Sequence, residues 1–182
     1  MMHPDRLQPG DVLLYRPSSL FGWAIRIKSG SAISHVEVYA DEGFSVASRD
    51  GKGVARYPLR PEQLSVILRP TEPFYLAPAL AWFKQHEGEP YGWLDLLDFF
   101  SLNVNGPGMV CSPFVTEFLR AGGIPVFGTF PAIRVFPRDF LTSEYLKDVT
   151  ELVVRDLPVD PVQPVSTRVD TAQPVPAPAP AA

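Results

Sequence analysis

Hydrophobic and polar positions follow different periods on the two sides of a break at Pro70–Pro73. Before it, short apolar runs bounded by Gly, Pro and Asp predict strands. These are Asp11–Arg16 after the Gln8-Pro9-Gly10 turn, Ser34–Ala40, Phe44–Ser48, Gly53–Leu59 and Leu64–Arg69. Asp41-Glu42-Gly43 and Asp50-Gly51 supply the turns between them. One stretch in this half has helical spacing: Leu20, Trp23, Ala24 and Ile27, capped by Ser18 or Ser19 and ended near Lys28 by Ser29-Gly30-Ser31.

After the break the period lengthens. Ala77–His86 and Gly92 to about Leu102 are predicted helices. A third starts at Cys111 or Ser112 and stops at Gly122-Gly123, a C-cap signal. Phe114, Val115, Phe118 and Leu119 lie on one face of it, with Thr116, Glu117 and Arg120 on the other. Pro113 is compatible with the first turn, which needs no N–H there. A short helix near Pro137–Tyr145 and a last strand near Val149–Val154 complete the prediction. The class is α+β, with a small antiparallel sheet packed against helices.

Length changes this picture little: 182 residues suit one domain with a real core. Proline changes it more. The chain holds 21 prolines, about twice the usual share of about 5%. Pro158, Pro161, Pro164, Pro174, Pro176, Pro178 and Pro180 fall in a stretch without aromatics that ends in alternating Pro and Ala. Residues 1–156 are therefore read as the domain, and 157–182 as an extended tail free to engage a protein partner. A net charge of −4 and a pI near 5.3 give no basic face for nucleic acid. The N-terminus lacks the apolar segment of a secretory signal, and no apolar run is long enough to span a membrane.

The single cysteine excludes an internal disulfide and sits in Met109-Val110-Cys111-Ser112-Pro113 at the head of the third helix. A helix N-terminus favours thiolate. His35 lies in the strand Ser34-His35-Val36-Glu37-Val38-Tyr39, where a rigid backbone can hold a base. Histidine precedes cysteine, the reverse of papain. Glu37 shares the strand face of His35 and can orient its ring, and Asp50 is a second candidate. His86 reads as a helix-surface residue and His3 as terminal. Three widely spaced histidines and one cysteine make no metal set, and Gly106-Pro107-Gly108 lacks the context of a phosphate loop. No cofactor or metal is expected. The apolar run Trp93–Phe100 reads as a buried helix, with an acyl-binding wall or a partner surface as alternatives.

Four segments, in order, resemble the circularly permuted branch of the papain-like NlpC superfamily, which includes YiiX-like proteins and the lecithin:retinol acyltransferase group. They are Gly10-Asp11-Val12-Leu13-Leu14, Ser34-His35-Val36-Glu37-Val38-Tyr39 with Gly43, Gly88-Glu89-Pro90-Tyr91-Gly92, and Val110-Cys111-Ser112 with Leu119-Arg120-Ala121-Gly122-Gly123. They span roughly residues 8–145. The resemblance implies a circularly permuted papain-like fold and a cysteine hydrolase. Its substrates would be cell-wall peptides or amide- or ester-linked acyl lipids, with Cys111 as nucleophile and His35 as base. Tyr91 would be a substrate-side residue. Relatives carry a third polar residue about twelve positions after the histidine. Here that position is Ala47, followed by Ser48, and neither can orient an imidazole as a carboxylate does. A catalytically silent module in a larger assembly, such as a phage particle, is the competing expectation.

Overall fold

The computed structural model describes residues 3–16, 30–92 and 109–154. The predicted helix at 18–28, the helical stretch past Gly92 with its apolar run, the Gly106-Pro107-Gly108 segment and the 157–182 tail lie outside the described residues.

Alternation builds one antiparallel sheet. Its strands are β1 (Val12–Tyr15), β2 (His35–Asp41), β3 (Phe44–Arg49), β4 (Gly53–Pro58), β5 (Leu64–Pro70) and a short β6 (Leu146–Asp148), in the order β4-β3-β2-β1-β5-β6. β1 lies inside the sheet, with Val12 opposite Val38, Leu13 opposite Glu37, Leu14 opposite Val36 and Tyr15 opposite His35. Period two therefore sends two different sets of side chains to the two faces.

One face is apolar and carries the helices. Val12, Leu14, Val36, Val38, Val46, Val54 and Leu68 pack with side chains of α1 (Leu76–His86) and α2 (Cys111–Ala121). In α2 the predicted stripe of Phe114, Val115, Phe118 and Leu119 is wholly buried, each side chain contributing about 1.5–3 kcal/mol of hydrophobic stabilisation. Thr116, expected on the outer face, is buried too. Its Oγ1 donates to Ser112 O at 2.8 Å, which satisfies the hydroxyl inside the helix. The helix ends at Gly122, whose N–H reaches Phe118 O at 3.1 Å.

The other face carries Leu13, Tyr15, Tyr39 and Ile67, covered in part by Leu7, Val149 and Val153. The last element there corrects the sequence reading. Thr150–Val154 is a single helical turn, α3, not the strand expected near Val149–Val154. Val149 and Val153, four apart, are buried, and the Val153 N–H bonds Val149 O at 3.2 Å. Asp148 Oδ1 accepts the Thr150 N–H at 2.8 Å, and Thr150 Oγ1 accepts the Ile67 N–H at 2.9 Å. Capping and burial at helical spacing outweigh the β-propensity of the valines. The helix expected near Pro137 is a 3-10 turn over Pro137–Thr142.

Candidate active site

Cys111, His35 and Glu37 come together where the sheet opens. The ladder between β2 and β3 runs from Val38–Val46 to Asp41–Phe44 and includes neither His35 and Val36 nor Ser48 and Arg49. The chain entering α2 meets the two unladdered ends. Ser48 donates from Oγ to Met109 O, and the Val36 N–H donates to the Cys111 sulfur. The N-terminus of α2 is thus fixed to both strands at the point where its first residue is the cysteine.

A second contact fixes the approach to that helix. The Val54 N–H donates to Glu89 O at 2.9 Å, the Gly88 N–H to Val54 O at 2.8 Å, and the Met109 N–H to Pro90 O at 3.2 Å. Gly53 permits this packing: its φ is +77°, and a Cβ there would stand 2.2 Å from Glu89 O. The result sets Tyr91 beside Cys111, to which its side chain is hydrogen-bonded.

Among the described residues, four groups contact the thiol: the His35 imidazole, the Val36 N–H, the Ser112 hydroxyl and the Tyr91 hydroxyl. Cys111 is 2% exposed and His35 8%. His35 Nε2 lies 2.9 Å from Glu37 Oε1, leaving Nδ1 for the sulfur. Cys111, His35 and Glu37 therefore form a continuous relay.

Glu37 has no exposed surface. Its Oε1 accepts from His35, from Arg49 Nε at 2.7 Å and from Arg60 Nη2 at 2.7 Å. Its Oε2 accepts from Arg49 Nη2 at 3.0 Å and from the Ser45 hydroxyl. The two guanidiniums are themselves backed by rings: Arg49 lies 4.2 Å from the Tyr57 centroid and Arg60 lies 4.9 Å from that of Tyr15.

These contacts set the charges. Burial raises the Glu37 carboxyl, but His35 and Arg49 together outweigh it and hold the group well below the ordinary carboxylate range. Burial likewise opposes a charge on His35. Its bonds to Cys111 and Glu37 prevail and push it up to about 9. Cys111 moves the other way: burial raises the thiol, and His35, the Val36 N–H and Ser112 bring it below its usual value. A lowered thiol beside a raised imidazole favours a thiolate–imidazolium pair at neutral pH. Tyr91 is raised well above its ordinary value by burial and by the adjacent thiolate, so it remains a hydroxyl donor.

Of the residues expected at the site, Cys111, His35, Glu37 and Tyr91 are brought together. Asp50, the second candidate for orienting the ring, is exposed at the turn after β3, and the first candidate, Glu37, is the one that holds it. His86 is half-buried, stacked on Trp82 at 4.1 Å, and belongs to α1 packing. Continuing the β2–β3 register by one pair sets Glu37 against Ala47.

Sequence reading missed Arg49, Arg60 and Ser45. A partial signal was present: Ser45 and Arg49 share the parity of Ala47 on β3, hence the face of Glu37. Arg60 follows β4 and carried no such signal. Among the described residues, no group of three or more His, Cys, Asp or Glu is arranged to hold a metal ion, and no helix is long and apolar enough to cross a membrane. No protein-family model matches the chain, and no curated protein matches it.

Proposed function

We propose that this protein is a cysteine hydrolase of circularly permuted papain-like topology, acting on an amide or ester bond of a cell-wall peptide or an acyl lipid. The observation that carries the reading is the relay itself: a thiol at a helix N-terminus, hydrogen-bonded to an imidazole whose other nitrogen is held by a buried carboxylate. The order of elements supports the permuted topology, since the histidine strand precedes the cysteine helix in the chain and the two pack against each other. In this reaction the Cys111 thiolate attacks the carbonyl carbon. The carbonyl π-electrons move to oxygen, near the backbone N–H at the start of α2 and the Tyr91 hydroxyl. The carbon–heteroatom bond then breaks, and the leaving amine or alcohol takes the proton from the His35 imidazolium. Water, deprotonated by His35, cleaves the thioester. The chemistry requires no cofactor.

A generic ester tests this. With p-nitrophenyl acetate, the full chain is expected to release nitrophenolate and to carry an acetyl group on Cys111 by mass spectrometry, and Cys111→Ala is expected to do neither. Absence of acylation in the folded wild type would contradict the reading. A second reading rests on the burial of Cys111: a thiol with 2% exposure suits a silent module that serves as a binding or structural part of an assembly such as a phage particle. The same experiment separates the two readings.

A further inference from the structure

Three hydrogen-bond donors compete for one oxygen in the Glu37 cluster. Oε1 accepts from His35 Nε2 at 2.9 Å, Arg49 Nε at 2.7 Å and Arg60 Nη2 at 2.7 Å. A carboxylate oxygen has two lone-pair sites, so three donors share them and each bond is weaker than it would be alone. The two arginines are not equivalent. Arg49 grips both oxygens, and its side chain is 11% exposed. Arg60 touches only the oxygen that His35 uses, and its side chain is 25% exposed.

We propose that Arg60 is a positioning residue that restrains the basicity of His35, by sharing Glu37 Oε1 with the imidazole and by placing a cation behind the carboxylate. The inference rests on the reading in which His35 is the base for Cys111. Two independent effects point the same way. Arg60 withdraws lone-pair capacity from the His35–Glu37 bond, and its positive charge opposes a positive ring. Among the described residues, the charged and titratable groups around the ring are Glu37 on its own strand, Tyr15 from β1, Arg49 from β3, Asp50 from the following turn, Arg60 from beyond β4, and Cys111 of α2 with Tyr91 bonded to its sulfur. Arg49 and Arg60 supply two fixed positive charges against the one of Glu37. Without Arg60 the two remaining fixed charges, Arg49 and Glu37, would balance, and the net positive charge that opposes the imidazolium would be gone. A base held too firmly as imidazolium is a poor acceptor for the proton of the deacylating water, so the restraint keeps His35 able to act in both directions.

A nuclear magnetic resonance titration of the His35 ring in the full chain tests this, with wild type, Arg60→Met and Arg60→Lys. In Arg60→Met the ring pKa is expected to rise by about 0.5–1 unit, and the Nε2 proton to move downfield as its bond to Glu37 tightens. Arg60→Lys, which keeps the charge, is expected to return the pKa most of the way to wild type. A folded Arg60→Met whose ring pKa is unchanged or lower overturns the proposal. If that variant does not fold, Arg60→Gln is the replacement, with an upward shift again expected and its absence again decisive. The outcome is separable from the hydrolase reading, which fails if wild-type Cys111 cannot be acylated even where the His35 titration responds to Arg60 as expected.

Discussion

Asp11 and Glu37 are both carboxylates with no exposed surface, and both are gripped by an arginine. Asp11 takes the two prongs of Arg69, each at 2.8 Å, and the Gln8 N–H at 2.9 Å. Those partners tie the turn before β1 to β5. Glu37 takes the two prongs of Arg49, but it also takes Arg60, Ser45 and an imidazole that leads to a thiol. Burial and an arginine clamp are therefore not marks of a reactive site, because the fold uses them for a connection as well. What distinguishes the second cluster is a titratable ring between the carboxylate and a thiol.

The comparison breaks most sharply at the ring. His35→Asn is expected to lower acylation by p-nitrophenyl acetate about 10²–10⁴-fold, the usual worth of a positioned base. Asp11→Asn is expected to leave the rate per folded molecule unchanged. A comparable loss in both variants would show that the two clusters are alike.

Stability sharpens it next. Removing one partner of a buried ion pair costs about 3–5 kcal/mol. Asp11→Asn and Glu37→Gln are both expected to lose stability in this range by urea unfolding. Glu37→Gln should lie at the upper end, because it leaves two guanidiniums without an anion. Only Glu37→Gln is expected also to change the pH dependence of Cys111 alkylation.

The pH dependence of stability follows from counting protons. In the unfolded chain between about pH 6.5 and 9.0, the ordinary values of His35 and Cys111, the histidine is neutral and the thiol protonated, so the pair holds one proton. The folded thiolate–imidazolium pair also holds one. Stability contributed by the pair is thus flat across that window. The raised His35 alone gives stability below pH 6.5 that is lost towards about 9, and the lowered Cys111 alone gives the reverse, so the two cancel. Glu37 contributes stability above its ordinary 4.5, lost as pH falls towards its depressed folded value. Thermal melting is expected to be level between about pH 7 and 8.5 and to fall in acid. A steep slope within the plateau would contradict the paired state. The smallest effect is expected from truncation after Asp156, which removes a segment rich in proline and alanine. The melting temperature should change by only about a few degrees.

Much of this was legible in the chain because it depends on local pattern. Alternation gave β1 to β5 within a residue or two, and Pro113 with Gly122-Gly123 bounded α2. The pairing of Cys111 with His35 was legible from residue type and element position. Glu37 was legible only as a neighbour on the same strand face. Its burial was not, since a glutamate in a strand reads as solvated unless its counter-charges are visible. Those charges come from Arg49 on the next strand and Arg60 beyond β4, and only the sheet register brings them together. Val149–Val154 was misread because its valines satisfy β-propensity, while the bond that ties the helical turn to the sheet comes from Ile67, more than eighty residues away by chain (150 − 67 = 83).

Alkylation of Cys111 as a function of pH tests the central claim most directly, because the chain has one cysteine and every label reports on it. The folded protein is expected to react with iodoacetamide with a midpoint clearly below 9.0, the ordinary value of the thiol. That low-pH limb should be absent in His35→Asn. A midpoint at or above the ordinary thiol value, or a folded protein that takes no label until it is unfolded, would contradict the account.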